Sequence, residues 1–122
     1  MPAKEQFQDR TVEFTTTIAN GTAISSQMID LVGVTLCGLI IPASWTAAGI
    51  GIKAASSATG TFLPVYNEIG TLVSITVNSS SCIILNAADF AGLQYIKLWS
   101  QTGGSDVNQV GDKIITLLTR PI

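Results

Sequence analysis

The chain has 122 residues, of which 47% are hydrophobic and only 11% are charged, with a net charge of -2 and no histidine. This length fits a single domain, and so apolar a composition excludes a disordered chain. The weak negative charge excludes nucleic-acid binding as the main function, because that function needs a face rich in Lys and Arg.

The first ten residues form the most charged segment of the chain. Fourteen residues are charged (six basic plus eight acidic), and four of them lie here: Lys4, Glu5, Asp9 and Arg10. Chain ends of this composition are usually solvated, and this one lacks the apolar stretch of a secretory leader. We therefore predict an N-terminal arm over residues 1–10 and one β-domain over residues 11–122.

Strand patterns begin directly after the arm. Residues 11–18 alternate between an inward and an outward set, which is typical of a half-buried strand. Asn20 and Gly21 then mark a tight turn, because both tolerate a positive φ. Residues 28–32 and 34–41 are the next strands. Because the second of these is apolar on both faces, it is predicted to be central in a sheet and covered on both sides.

The uncharged run over residues 31–52 is long enough to span a bilayer. It contains several glycines and Pro42, however, and its β-branched residues fall into two blocks. The link between these blocks, residues 42–49, is rich in turn-forming residues. The pattern therefore favours two strands joined by a turn, and we predict no membrane association.

The second half of the chain alternates between strands and polar turns. Further strands are predicted at residues 50–54, 62–66, 71–77, 82–85, 95–100 and 113–119. Residues 67–70 and 78–81 are turns, and residues 101–111 form the longest polar loop. Residues 86–93 hold one helical turn with Asn86 as its N-cap. Eight or nine short strands predict an all-β fold, a single antiparallel β-sandwich that is jelly-roll-like.

The two cysteines, Cys37 and Cys82, lie far apart in strand-like segments. Without a CxxC pair or a histidine, the chain lacks the ligand set of a zinc or haem site. We predict two buried thiols that act as small hydrophobic groups. A disulfide between them remains an alternative, which requires the two strands to face each other closely.

No catalytic motif is present in the sequence. The absence of histidine removes the Ser-His-Asp and Cys-His arrangements, and nucleotide-binding glycine motifs and acidic calcium loops are also missing. The acidic residues outside the arm are assigned to strand ends, turns and a helical turn. We predict a protein that is not an enzyme and has no cofactor and no metal.

Three aromatic residues are candidates for contact with a partner. Trp45 follows a turn, whereas Tyr95 and Trp99 share one face of a strand on either side of Lys97. These rings could belong to the core, contact another protein, or form a platform for sugar rings. The residue pattern leaves all three alternatives open.

Four stretches of the chain resemble small β-rich structural proteins of tailed bacteriophages. They are LVGVTLCGLIIPASWTAA at 31–48, AASSATGTFLPVYN at 54–67, YIKLWS at 95–100 and IITLLTRP at 114–121. The resemblance covers roughly residues 11–122. Two departures are that the loop at 56–60 lacks an Asp-Gly turn and that Trp99 stands where a charged residue would be more usual.

The resemblance implies a capsid decoration, or cement, protein. Such a protein would lie on the capsid surface of the virion after synthesis in the bacterial cytoplasm, bound to the major capsid protein and to its own copies as a dimer or trimer. The expected contact residues are Lys4, Glu5, Phe7, Asp9, Arg10, Trp45, Tyr95 and Trp99. The alternatives are a tail, neck or fibre-base protein of the virion, and a carbohydrate-binding β-sandwich module.

Overall fold

Two antiparallel sheets build the structure, a computed structural model that describes residues 12–121 and leaves the side chain of Val12 undescribed. The strands of the described residues are β1 (Val12–Ile18), β2 (Ile29–Asp30), β3 (Val34–Ile41), β4 (Gly49–Ala55), β5 (Leu63–Pro64), β6 (Ser74–Ile75), β7 (Ser81–Ile84), β8 (Tyr95–Thr102), β9 (Ser105–Asp106) and β10 (Lys113–Pro121). A single 3₁₀ turn, Ala87–Phe90, accompanies them. No helix within residues 12–121 has the length and apolar character needed to cross a membrane.

The order of the strands is that of a jelly roll. One sheet has the order β1-β10-β3-β7, and the other has the order β2-β8-β4-β5, with β6 paired to β4 and β9 paired to β8. The chain passes back and forth between the two sheets as it forms β1, β2, β3 and β4, and again as it forms β7, β8 and β10. This winding confirms the predicted antiparallel β-sandwich. The described residues form ten strands rather than eight or nine, because four very short strands pair along the sheet edges and hairpins.

The core fills the space between the sheets. Alternate residues of each long strand point inward, as the period of two requires. On β1, Thr16 and Ile18 are buried while Glu13 and Thr15 are exposed, which confirms the alternation predicted for residues 11–18. The largest fully buried apolar side chains are Ile18, Leu31, Leu36, Leu39, Ile41, Ile50, Ile52, Ile96, Leu98, Ile115 and Leu117. Burial of these side chains is the main stabilising term of the fold.

Strand β3 has the bounds predicted from the sequence and lies between β10 and β7, but its outer face is not covered as predicted. The pairing with β10 shifts between Leu118 and Thr119, which leaves Cys37 as the extra residue of a β-bulge. Leu36 and Leu39 both point into the core because this extra residue changes the phase of the alternation. On the other face, Ile40 remains 39% exposed.

The predicted polar loop at 101–111 needs correction, whereas the predicted helical turn does not. Strand β8 continues to Thr102, and the glycines at 103 and 104, both with positive φ, turn the chain into β9. Half of the predicted polar loop at 101–111 is therefore a β-hairpin. The helical turn is confirmed, since Asn86 Oδ1 accepts a hydrogen bond of 3.2 Å from the Ala88 N–H.

The cysteines do not form the predicted pair of buried thiols. Cys82 is exposed, whereas Cys37 is half-buried with its Sγ 3.3 Å from the Leu118 carbonyl oxygen, to which it donates. Both thiols are free. The register places Cys82 opposite Ile40 rather than opposite Cys37, which explains why adjacent strands do not bring the two sulfurs together.

Candidate interaction surfaces

The contact residues predicted from the sequence fall into two groups. The five in the arm, Lys4, Glu5, Phe7, Asp9 and Arg10, lie outside the described residues. Of the three aromatic residues, Tyr95 is half-buried, whereas Trp45 is 7% and Trp99 is 4% exposed. Both indole rings are therefore buried within the chain itself, as the core alternative expects, and little of either ring is accessible to a partner.

Trp99 is covered although it points away from the core. Its ring lies on Gly51 of the neighbouring strand β4, where a Cβ would be only 2.8 Å from Trp99 Cε3. The Lys53 Nζ lies 4.6 Å from the ring centroid, and the indole N–H donates a 2.7 Å hydrogen bond to Asp106 Oδ1. Because these groups enclose Trp99, its ring offers no open face for the platform alternative with Tyr95.

Trp45 is held by the loops at one end of the sandwich. Its indole N–H donates to the Ala48 carbonyl at 3.1 Å, and its backbone N–H donates to Ser79 Oγ at 2.8 Å. A cleft of about 540 Å³ lies beside the ring. The buried Gln101 in its wall is already paired, donating to Ser74 Oγ and accepting from the Gly104 N–H. The cleft therefore offers no unpaired buried side chain to a ligand.

The first of two accessible apolar surfaces lies on a β-hairpin. Residues 65–73, here called the Tyr66 hairpin, join β5 to β6. Within it Tyr66 is 58% and Ile69 is 82% exposed, and Leu63 at its base is 62% exposed. Large side chains that project in this way from one loop are typical of protein contact sites.

Asn67 fixes the shape of the Tyr66 hairpin. Its Oδ1 accepts hydrogen bonds from the backbone N–H groups of Ile69 (3.1 Å) and Thr71 (2.9 Å). Its own N–H donates to the Thr71 carbonyl at 2.8 Å, and Gly70 adopts a φ of 86° that closes the turn. These bonds hold Ile69 in one place before any partner arrives, which lowers the entropy lost on binding.

A groove of about 640 Å³ runs beside the Tyr66 hairpin. Its wall combines the apolar side chains of Tyr66, Ile69 and Leu72 with the carboxylates of Glu68 and Asp89. No lysine or arginine among residues 12–121 lines it. Such a groove fits a protein segment that carries one apolar and one basic side chain.

The outer face of the four-stranded sheet is the second accessible apolar surface. Its outward side chains, here called the isoleucine face, include two charged residues, Glu13 and Arg120, and otherwise those of Ile40, Ile84, Ile114, Leu118, Thr15, Thr17, Thr116 and Cys82. Ile84 is 90% and Ile114 is 58% exposed. Sheets of soluble proteins usually carry polar residues on their solvent face, so this face has the composition of a contact surface.

Neither apolar surface is among the contact sites predicted from the sequence, although the sequence contains an indication of each. The run predicted as strand 113–119 is apolar at consecutive positions, so Ile114 must face away from the core if Ile115 faces it. The turn at 67–70 was predicted, but the exposure of Ile69 depends on where the turn projects.

The described residues hold no group of three or more His, Cys, Asp and Glu side chains that could bind a metal ion.

The fold and these surfaces define the chain as a jelly-roll β-sandwich with two accessible apolar areas on its described surface. Comparison with protein-family models, curated proteins and solved structures finds no match.

Proposed function

We propose that this chain is a bacteriophage capsid decoration protein that binds the shell of major capsid protein and stabilises the head. The Tyr66 hairpin carries the proposal, because it presents Tyr66 and Ile69 in a rigid projection with an acidic groove beside them. A shell protein would place an apolar side chain against Ile69 and a Lys or Arg beside Glu68 and Asp89.

Two further features support a role in an assembly. Jelly rolls recur in viral capsid proteins, although the same fold also occurs in lectins and other proteins, so the fold alone does not decide the function. Only 11% of the residues are charged, which reduces the free-energy cost of removing water from the surface when a partner binds. Attachment at several points on a lattice would then convert weak contacts into tight binding through avidity.

Binding to empty expanded capsids of the encoding phage tests the proposal. We expect the chain to co-sediment with these shells and Ile69→Lys to reduce its affinity by about 10- to 100-fold, because the substitution removes an apolar anchor and places a cation near the basic partner. Val32→Lys is the matched control, since Val32 is 67% exposed on a different loop. Absence of co-sedimentation, or equal losses for the two variants, would contradict the proposal.

The copy number in a purified particle separates decoration of the head from the tail, neck and fibre-base alternative. A shell protein is present in hundreds of copies, whereas closed rings of tail components contain about a dozen. Quantitative mass spectrometry of intact particles measures this number. A count near a dozen would place the chain in the tail.

The carbohydrate-binding alternative loses its main support in the structure. A sugar platform needs an exposed aromatic face, and Trp99 is enclosed by Lys53, Gly51 and Asp106. A glycan-binding screen tests this alternative directly, and sugar affinity that Trp99→Ala abolishes would favour it over shell binding.

A further inference from the structure

The isoleucine face forms continuous rows across all four strands of its sheet. One row runs from Thr15 through Thr116 and Ile40 to Cys82, each residue opposite the next in the register. A second row runs from Glu13 through Leu118 and Gly38 to Ile84. The first row therefore places methyl, hydroxyl and thiol groups side by side over the whole width of the sheet, whereas the second row begins with a carboxylate on β1.

The centre of the isoleucine face is flat because of Gly38. A Cβ at this position would lie 3.2 Å from Leu118 Cδ1 and 3.1 Å from the Ile83 carbonyl oxygen. The Leu118 side chain thus occupies the space that a larger residue at 38 would need. A flat centre allows another sheet to approach closely, which face-to-face sheet packing requires.

We propose that a second copy of this chain packs its own isoleucine face against this one, forming a symmetric dimer. A two-fold interface uses the same patch on both partners, so the patch must be complementary to itself. The row from Thr15 to Cys82 meets this condition because its side chains are apolar or carry neutral hydroxyl or thiol groups. Among the described residues, charge enters the face through Glu13, at the β1 end of the second row, and through Arg120 near the end of β10.

The isoleucine face is large enough for a weakly associating dimer. The face is four strands wide and up to the nine residues of β10 long, which corresponds to a footprint of about 500 Å². Two such footprints bury about 1,000 Å² in total, near the lower limit for a specific interface. The expected dimer is therefore concentration-dependent, and it does not require the proposed function in shell binding.

Sedimentation velocity of the full chain from about 1 to 200 µM tests the dimer. We expect the mass to rise with concentration from 12.8 kDa towards twice that value. Ile84→Lys and Ile114→Lys should each weaken association at least about thirty-fold, because they bury a charge in the interface. Ile69→Lys, on the Tyr66 hairpin, is the control and should associate like the unaltered chain. A chain that stays monomeric at 200 µM, or equal effects of Ile84→Lys and Ile69→Lys, would overturn the proposal.

Alkylation of Cys82 provides a second measurement that needs no variant. In the dimer this exposed thiol is covered, so its alkylation by iodoacetamide should slow as the protein concentration rises. A rate that does not change with concentration would refute the dimer. The two proposals can be contradicted independently. A chain that binds shells but stays monomeric would contradict only the dimer. A chain that dimerises but does not bind shells would contradict only the decoration function.

Discussion

At the residue scale, Gln109 joins three loops at one end of the sandwich. It is 1% exposed. Its Nε2 donates to the Thr46 carbonyl at 3.0 Å and to Ser100 Oγ at 2.8 Å, and its Oε1 accepts from the Thr46 N–H at 2.9 Å. Its backbone N–H also donates to the Thr22 carbonyl. One side chain thus satisfies several polar groups that the loops would otherwise bury without partners.

We expect Gln109→Ala to destabilise the protein by about 3 kcal/mol, because it leaves Thr46 and Ser100 without their partners. Urea unfolding followed by circular dichroism measures the change. Gln94→Ala is the control, since Gln94 is exposed and makes its hydrogen bond to Asp30 at the surface. If the two variants differ by less than about 0.5 kcal/mol, Gln109 does not stabilise the loops as described.

Gly51 allows Trp99 to lie flat on the six-stranded sheet. Gly51→Ala would place a Cβ 2.8 Å from Trp99 Cε3 and 3.2 Å from Gln101 Cγ. We expect a loss of about 1–3 kcal/mol in the free energy of unfolding, because a packed ring must move. Gly92→Ala, with no atom within 4 Å of the added Cβ, should change stability by less than about 0.5 kcal/mol. Equal stability of both variants would show that Trp99 can shift freely.

At the scale of elements, the Tyr66 hairpin depends on one side chain for its shape. Removing the carboxamide in Asn67→Ala eliminates the acceptor shared by the Ile69 and Thr71 N–H groups. We expect hydrogen exchange at these two amides to accelerate about tenfold while the core amides stay unchanged. Mass spectrometry of exchanged peptides measures the rates, with Asn108→Ala in another exposed loop as the control. Unchanged exchange at residue 69 would mean that the turn is stable without Asn67.

Strand β3 shows how an element can be predicted correctly while its faces are not. Its bounds follow from a continuous apolar run between turn-forming residues, which is local information. The bulge at Cys37 depends on the register with β10, a strand about 80 positions away in the chain. The prediction that both faces of β3 are buried is therefore wrong. An exposed apolar face and a covered apolar face have the same local sequence pattern, so the composition of the strand does not distinguish them.

Over the whole molecule, residues 12–121 supply strands to both sheets and the described core between them. We therefore expect a variant lacking residues 1–10 to fold with an unchanged β-type circular dichroism spectrum. In the proposed function this variant should bind expanded capsids poorly, because the arm supplies additional contacts to the lattice. Full occupancy of shells by the shortened chain would show that the arm does not contribute to shell binding. Loss of the folded state would contradict the predicted domain boundary.

Local periodicity and backbone preference are enough to predict the all-β class, most strand positions, the helical turn after Asn86 and the turns at Asn20 and residues 67–70. Which side chains remain accessible follows from the packing of the strands in three dimensions. Trp99, one of the predicted contact residues, is enclosed, whereas Ile84, which the sequence pattern assigned to neither face of its strand, is 90% exposed. Exposure depends on the strand that pairs alongside and on the segments that pack above it, and these come from distant parts of the chain.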